Sequence, residues 1–299
     1  LYNPVLAEAI VRPAYEYVKS GKWPYKFAPH DLGTYPILNG QVYGNGFKMS
    51  MQMPVEECGN MLIMQAATLL AGGDIKLARD NFDLMSKWVE YLVKFGLVPG
   101  DQLCTDDFAG HLDKNVNLSV KAIVGIRAFA YICDKLGKTT DALLYANLAD
   151  EYAAKWKEKC CADGKPTPLT FDGGDTFSLK YNMAFDVLMG FGLFDKDLRE
   201  AAVDAYIARS NEFGVPLDSR AGFTKSDWIL WAATLTDDIE KRKKLIAPVA
   251  GFLRRSPTRV PFSDWYETVS GRQCAFQNRT VQGGLFILLL ADGKKLNAD

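Results

Sequence analysis

The rhythm of short and long connections between amphipathic segments constrains this chain more than any other feature. Val55, Cys58, Leu62, Ala66 and Leu69 fall on one helical stripe, and Ala78, Phe82, Met85, Val89 and Leu92 on a second. The tight turn at residues 71–74 separates them. Further pairs are expected at 116–136 with 140–157, at 180–192 with 198–211, and at 225–235 with 239–253, with single helices near 4–18 and 280–290. Within each pair the connection is short. Between pairs it is long, as at 97–114, 159–179, 214–223 and 256–277. In a ring of antiparallel hairpins the long connections all fall on one face. The expected class is therefore all-α, an α/α toroid of the six-hairpin type forming a single catalytic domain over residues 1–299. Ten helices fall short of the twelve that six hairpins need, so the first ones are expected upstream of Leu1. Residues 21–53, rich in Gly, Tyr and Pro, are expected to form a long loop over the same face.

Composition removes several classes of function. The chain has 299 residues, 48% of them hydrophobic, with 35 basic against 36 acidic side chains. A nucleic-acid partner would leave a basic stripe, and the longest charge run, Glu240–Lys244, reads as the solvated face of a helix. No uninterrupted apolar run reaches the roughly 18 residues of a membrane span. Six cysteines without C-x2-C spacing make neither a disulfide framework nor a structural zinc site. P-loop, HExxH, GxSxG and dinucleotide fingerprints are absent. Asp172 and Asp175 fall well short of a calcium loop. Neither metal nor cofactor is expected, and the partner is a small-molecule substrate.

Chemistry concentrates in the long connections, where sites on rigid scaffolds usually lie. "CTDDFAGHLDKN", 104–115, sets Asp106 and Asp107 beside Phe108 and Gly110, with more carboxylates than a turn requires. "MPVEECGN" offers Glu56 and Glu57 in a first helical turn, where the positive helix end favours carboxylates in any case; Glu57 is the preferred site candidate. "SDWYET" adds Asp264, Trp265 and Glu267 from another loop. Paired carboxylates from separate loops suit general acid–base hydrolysis, which makes Asp106, Asp107, Asp264 and Glu57 the catalytic candidates. Arg220 and Lys225 are cations able to hold a substrate carboxylate. Thr224 and Asp227 read as a capping box, with Trp228 following. "FSLKYN" sets Ser178 two residues before Lys180, then Tyr181 and Asn182. His30, Asp31 and Tyr35 come from the early loop, with His30 preferred over His111.

"FAPHDLGTYP", "MPVEECGNMLIM", "TDDFAGHLDKNVNLSVKAI", "VPLDSRAGFTKSDW" and "PFSDWYET" together resemble the fungal-type glutaminase A family over nearly the whole chain. The resemblance implies an α/α-toroid catalytic region, packed in full-length relatives on an upstream β-rich domain. It also implies secretion or a periplasmic location, and hydrolysis of the side-chain amide of L-glutamine to glutamate and ammonia. Relatives read "EESGN" where this chain has Cys58, which is therefore not expected to be the nucleophile. The motif residues carry over as site candidates. Two other readings stand beside this one. A glycoside hydrolase of toroid type would use two carboxylates and the aromatic residues as sugar platforms, and a non-catalytic carbohydrate-binding remnant would turn over neither substrate.

Overall fold

The apolar stripes become helices in the computed structural model, which describes residues 3–33, 47–104, 110–161 and 167–296. Asp106, Asp107, Phe108 and Tyr35 lie outside the described residues. The chain divides into two compact units, Leu1–Glu158 and Lys159–Asp299.

The first unit contains α1 (Pro4–Lys19), α2 (Pro54–Leu70), α3 (Ile75–Asp80), α4 (Phe82–Phe95) and α5 (Val116–Lys135), and nearly all of α6 (Thr139–Cys160). Proline opens α2 at its first position, where its missing N–H costs nothing. Asn115 caps α5 by accepting from the N–H groups of Asn117 and Leu118 at 2.9 and 3.1 Å. Helix α5 is buried on every face and is the core of the unit. Its mean hydropathy of 1.5 over a span-length window would suit a membrane, yet 89% of that window is buried inside the protein. Tyr15 of α1 stacks on Trp88 of α4 and donates to Gln65 of α2 at 3.1 Å, tying three helices together.

The stripe expected over 78–92 is broken at Asn81. Its side-chain amide donates to the Leu77 carbonyl at 2.8 Å, competing with the helical ladder, so α3 ends and α4 begins there.

Helices α2 and α5 cross where neither presents a side chain. A Cβ on Gly125 would stand 3.1 Å from the Gly59 Cα, and one on Gly59 would stand 2.6 Å from Lys121 Cγ. These two glycines let the backbones close together and admit the Lys121 stem between them.

The second unit holds α7 (Met183–Met189), α8 (Lys196–Ala208), α9 (Ser226–Ala233), α10 (Ile239–Arg255) and α11 (Ile287–Leu296), the last preceded by a 3-10 turn over Thr280–Phe286. Two three-residue strands, β1 (Phe223–Lys225) and β2 (Trp265–Glu267), pair antiparallel with Thr224 opposite Tyr266. They are too short to show alternation in the sequence. They join the 214–223 and 256–277 connections, and the Leu179 N–H donating to the Leu217 carbonyl at 2.9 Å adds the 159–179 connection. Within this unit the long connections are thus laced together, as the ring reading requires. Phe252 stacks on Tyr266 with ring centroids 3.6 Å apart and anchors β2 on α10. The all-α class is what the structure shows, with this one small sheet among the described residues.

Gly59→Ala should overpack the α2–α5 crossing, since the added methyl meets the middle of the Lys121 stem rather than its free end. The expected cost is about 1–3 kcal/mol. It should appear as a lower denaturant midpoint with an unchanged slope.

Candidate functional site

In the first unit the residues of "EECGN" have separate tasks. Glu56 is 1% exposed and faces Lys121, whose ammonium lies 3.1 Å from its Oε1. Cys58 is core, its sulfur accepting from the Ala28 N–H at 3.4 Å. Burial pushes its thiol well up, which disqualifies it as a thiolate nucleophile. Asn60 accepts from Lys121 at 2.6 Å and donates to Glu57 Oε2 at 3.2 Å. Glu57 is only partly buried. Burial first, then the negative charge of Glu56, push its carboxyl up to about 7, against the smaller opposing effects of Asn60 and Lys121.

The early loop contributes less definite chemistry. Asp31 is buried, and its Oδ1 accepts from the Gly33 N–H at 2.8 Å in a local turn. His30 beside it is partly buried. His111 is engaged by the Ser50 carbonyl at 2.8 Å and by Asp101 at 3.5 Å, a sufficient structural reason for its presence.

The second unit gathers charge around Lys225, which is 1% exposed. Its ammonium lies 2.5 Å from Asp264 Oδ2 and 3.3 Å from Asp227 Oδ1, over the Trp228 ring at 4.6 Å from the centroid. Tyr181 stacks on Trp228, centroids 4.5 Å apart. Arg279 donates to both oxygens of Asp264, with Nε at 3.1 Å from Oδ1. Burial pushes Asp264 up, but the hydrogen bonds and charges of Arg279 and Lys225 outweigh it and hold the carboxyl below its ordinary value. For Asp227 burial prevails: helped by the Asp264 charge and opposed by Lys225, it pushes the carboxyl up. Adjacent carboxyls held apart in this way divide naturally into an ionised member and a protonatable one.

Several readings of the sequence change here. Thr224 does not cap a helix. It lies in β1 opposite Tyr266, and the N-cap position of α9 falls to Lys225 with no side-chain cap, so Asp227 faces Lys225 instead of closing a capping box. Arg220 is spent on Asp218, with Nε at 3.0 Å and Nη2 at 2.6 Å from its two oxygens. Lys180 lies 2.7 Å from Ser178 Oγ, but also 3.0 Å from the Pro168 carbonyl and 3.1 Å from that of Ser178. It therefore works as a donor hub holding the loop. Asn182 is buried at the start of α7 without capping it, while Trp265 and Glu267 lie on β2. A cavity of about 230 Å³ opens beside α10, lined by Phe252, Ser256, Arg259, Phe262 and Ser263 among others, and no candidate residue lines it.

Two cations that engage the candidate carboxylates and their neighbours escaped the sequence reading. Lys121 is a single lysine in the apolar run "NLSVKAIVGI", and a cation there signals a buried partner. Arg279 gives no comparable signal. Its loop approaches Asp264 only in the folded chain, where the Asn278 N–H donates to the Phe262 carbonyl at 2.8 Å.

Residues 1–289 match the model of the glutaminase A six helical-hairpin domain. This chain belongs to that family. It is 36% identical to glutaminase A of Aspergillus oryzae over 295 residues, covering 96% of this chain and 42% of the relative. It is 29% identical to a probable glutaminase of Arthroderma benhamiae, covering 96% of this chain and 43% of that protein. The chain thus spans less than half the length of either relative.

Asp264→Asn should leave Lys225 and Arg279 without their main counter-charge. Breaking a buried pair from one side costs about 3–5 kcal/mol. Because the folded carboxyl titrates below its ordinary value, its stabilisation is present above about pH 4 and is lost as the pH falls towards the folded value. Denaturant midpoints should therefore fall less steeply in the variant than in the parent between about pH 5 and pH 2.

Proposed function

We propose that this chain hydrolyses the side-chain amide of L-glutamine to glutamate and ammonia. The observation that carries the reading is the family match over residues 1–289, joined to 36% identity with a glutaminase over nearly the whole chain. The chemistry requires a base to take a proton from water, a new C–O bond at the amide carbon, and a proton delivered to nitrogen as the C–N bond breaks. Glu57 suits both proton transfers. A carboxyl pushed up to about 7 is ionised often enough to accept a proton and protonated often enough to return one near neutral pH. Its partial exposure leaves it accessible to a substrate.

In this reading Asp106 and Asp107 remain candidates for the further carboxylates and His30, Asp31, Tyr35 and Phe108 candidates for substrate contacts, all from the sequence of the first unit, whereas Asp264 is enclosed by Lys225 and Arg279 in the second. Of the candidates in the second unit, Tyr181, Asn182 and Trp228 are buried, and Trp265 and Glu267 are the partly exposed ones. Arg220 and Lys225 already serve Asp218 and the Asp227–Asp264 pair, which weakens them as holders of the substrate's α-carboxylate. The glycoside reading loses support because Trp23, Trp228 and Tyr266, three of its sugar platforms, are buried against other rings rather than open to sugars. We also propose that the chain works in a secreted or periplasmic protein beside a β-rich region; the greater length of the relatives accommodates such a region.

Ammonia release from L-glutamine, run beside a panel of aryl glycosides, tests the activity. Glu57→Gln keeps the shape and removes the proton-transfer capacity, and should lower turnover by about 10²–10⁴ while the fold is kept. Asn variants at Asp106 and Asp107 belong in the same series. Turnover of glycosides with none of glutamine would overturn the reading.

A further inference from the structure

A side-chain amide is ordinarily ambiguous, because its oxygen and nitrogen can exchange places. At Asn60 the ambiguity is removed by Lys121. An ammonium has only hydrogens to offer, so the atom 2.6 Å from Lys121 Nζ must be the amide oxygen. The NH2 group is thereby turned towards Glu57, 3.2 Å from Oε2. Lys121 cannot swing aside. Its stem is pinned in the space left by Gly59, and its charge is fixed by Glu56 at 3.1 Å.

We propose that Lys121 and Asn60 are positioning residues for Glu57, forming a fixed donor chain that occupies Oε2 and leaves Oε1 as the oxygen that takes and gives the proton. The inference rests on the reading of Glu57 as the acid–base group and says which of its atoms does the work. When Glu57 is ionised, Oε2 accepts the Asn60 N–H. When it is protonated, the hydrogen must sit on Oε1, because a proton on Oε2 would point at a donor that cannot turn away. In hydrolysis Oε1 would thus receive the hydrogen of the attacking water and hand it to the departing nitrogen, with no net change in the chain.

Among the described residues, two charged groups act on Glu57, Glu56 and Lys121. Glu56 and Cys58 belong to its own helix, and Lys121 comes from α5. The other helices packed on α2 contribute Tyr15 from α1, hydrogen-bonded to Gln65, and Tyr91 from α4, beside Cys58. Both phenols are pushed up and stay neutral near pH 7. Among the described residues, Asn60 is the neutral side chain that hydrogen-bonds Glu57, so its removal acts on Glu57 without altering these charges.

The test is a carboxyl titration by NMR on the full chain, with the Glu57 resonance assigned through Glu57→Gln, alongside the pH dependence of ammonia release. Asn60→Leu, close in shape and without a donor, should raise the Glu57 midpoint by about one unit, since a hydrogen bond to a charged group is lost. Asn60→Ala should do the same in less space, and serves if the leucine variant fails to fold. Asn60→Asp should raise it further by adding a like charge. The pH–rate profile should move with the midpoint, with turnover falling more than substrate affinity. An unchanged Glu57 midpoint in either neutral variant, even with lowered stability, overturns the proposal. If Glu57→Gln keeps full turnover, the catalytic reading of Glu57 falls, while the titration still decides whether the donor chain exists.

Discussion

A lysine ammonium enclosed between two helices is tolerable only if fixed oxygens replace the water it gives up, and Lys121 meets that condition with Glu56 and Asn60. The arrangement dictates much of the first unit. The stem needs the space at Gly59, so α2 and α5 must cross at their glycines. Glu56 must point inward to neutralise the charge, which turns Glu57, one residue on, towards a different side of α2. A buried pair of this kind adds little net stability relative to a well-packed apolar core. Its effect is to fix register: a slide of either helix would strand a cation.

The second unit solves a similar problem with other residues. Lys225 is shared by Asp227 and Asp264, and Arg279 supplies a second cation to Asp264 alone. Two acids and two bases balance in charge but not in geometry. Asp264 receives hydrogen bonds from Arg279 on both oxygens and is held below its ordinary value, whereas Asp227, facing Lys225 at 3.3 Å and its own backbone N–H, is still pushed up by burial. The loops carrying these groups are tied by β1 and β2, so the small sheet is what brings the charges into register.

Which parts of this were legible in the sequence follows from the range of the interactions involved. The stripes of α2 and α10 are set by burial of one face, and periodicity reports that directly, whereas α5, buried on every face, shows in the sequence as a long apolar segment. The break at Asn81 is a single local hydrogen bond set within an apolar stripe, and nothing in the spacing marks it. The strands fail for a different reason: three residues cannot display a period of two, and their existence depends on a partner loop. Thr224 followed by Asp227 satisfied a capping pattern, but Thr224 was claimed by pairing with Tyr266, a long-range contact that outranks a local one. Glu57, Lys225, Asp227 and Asp264 were visible as ionisable groups in loops or at helix starts. Their cations were partly hidden, since the contacts of Lys121 and Arg279 exist only after folding.

Both units therefore contain a carboxyl pushed up beside a second carboxylate and a buried lysine, and accessibility separates them. Proton transfer to a substrate requires the acid to lie within hydrogen-bond reach of the reacting atom. Asp227 is 3% exposed, with Lys225 beside it equally enclosed, so a substrate could touch it only after the β1–α9 junction opened. Glu57 needs no such opening. Glu57 itself is partly exposed, although Pro54, Val55, Glu56 and Cys58 around it are buried. The same burial that raises Asp227 withdraws it from chemistry, whereas Glu57 is desolvated enough to be raised and open enough to react. On that ground Glu57 is the better placed of the two for the proposed proton transfer, and the cluster around Lys225 holds the loops of the second unit in place.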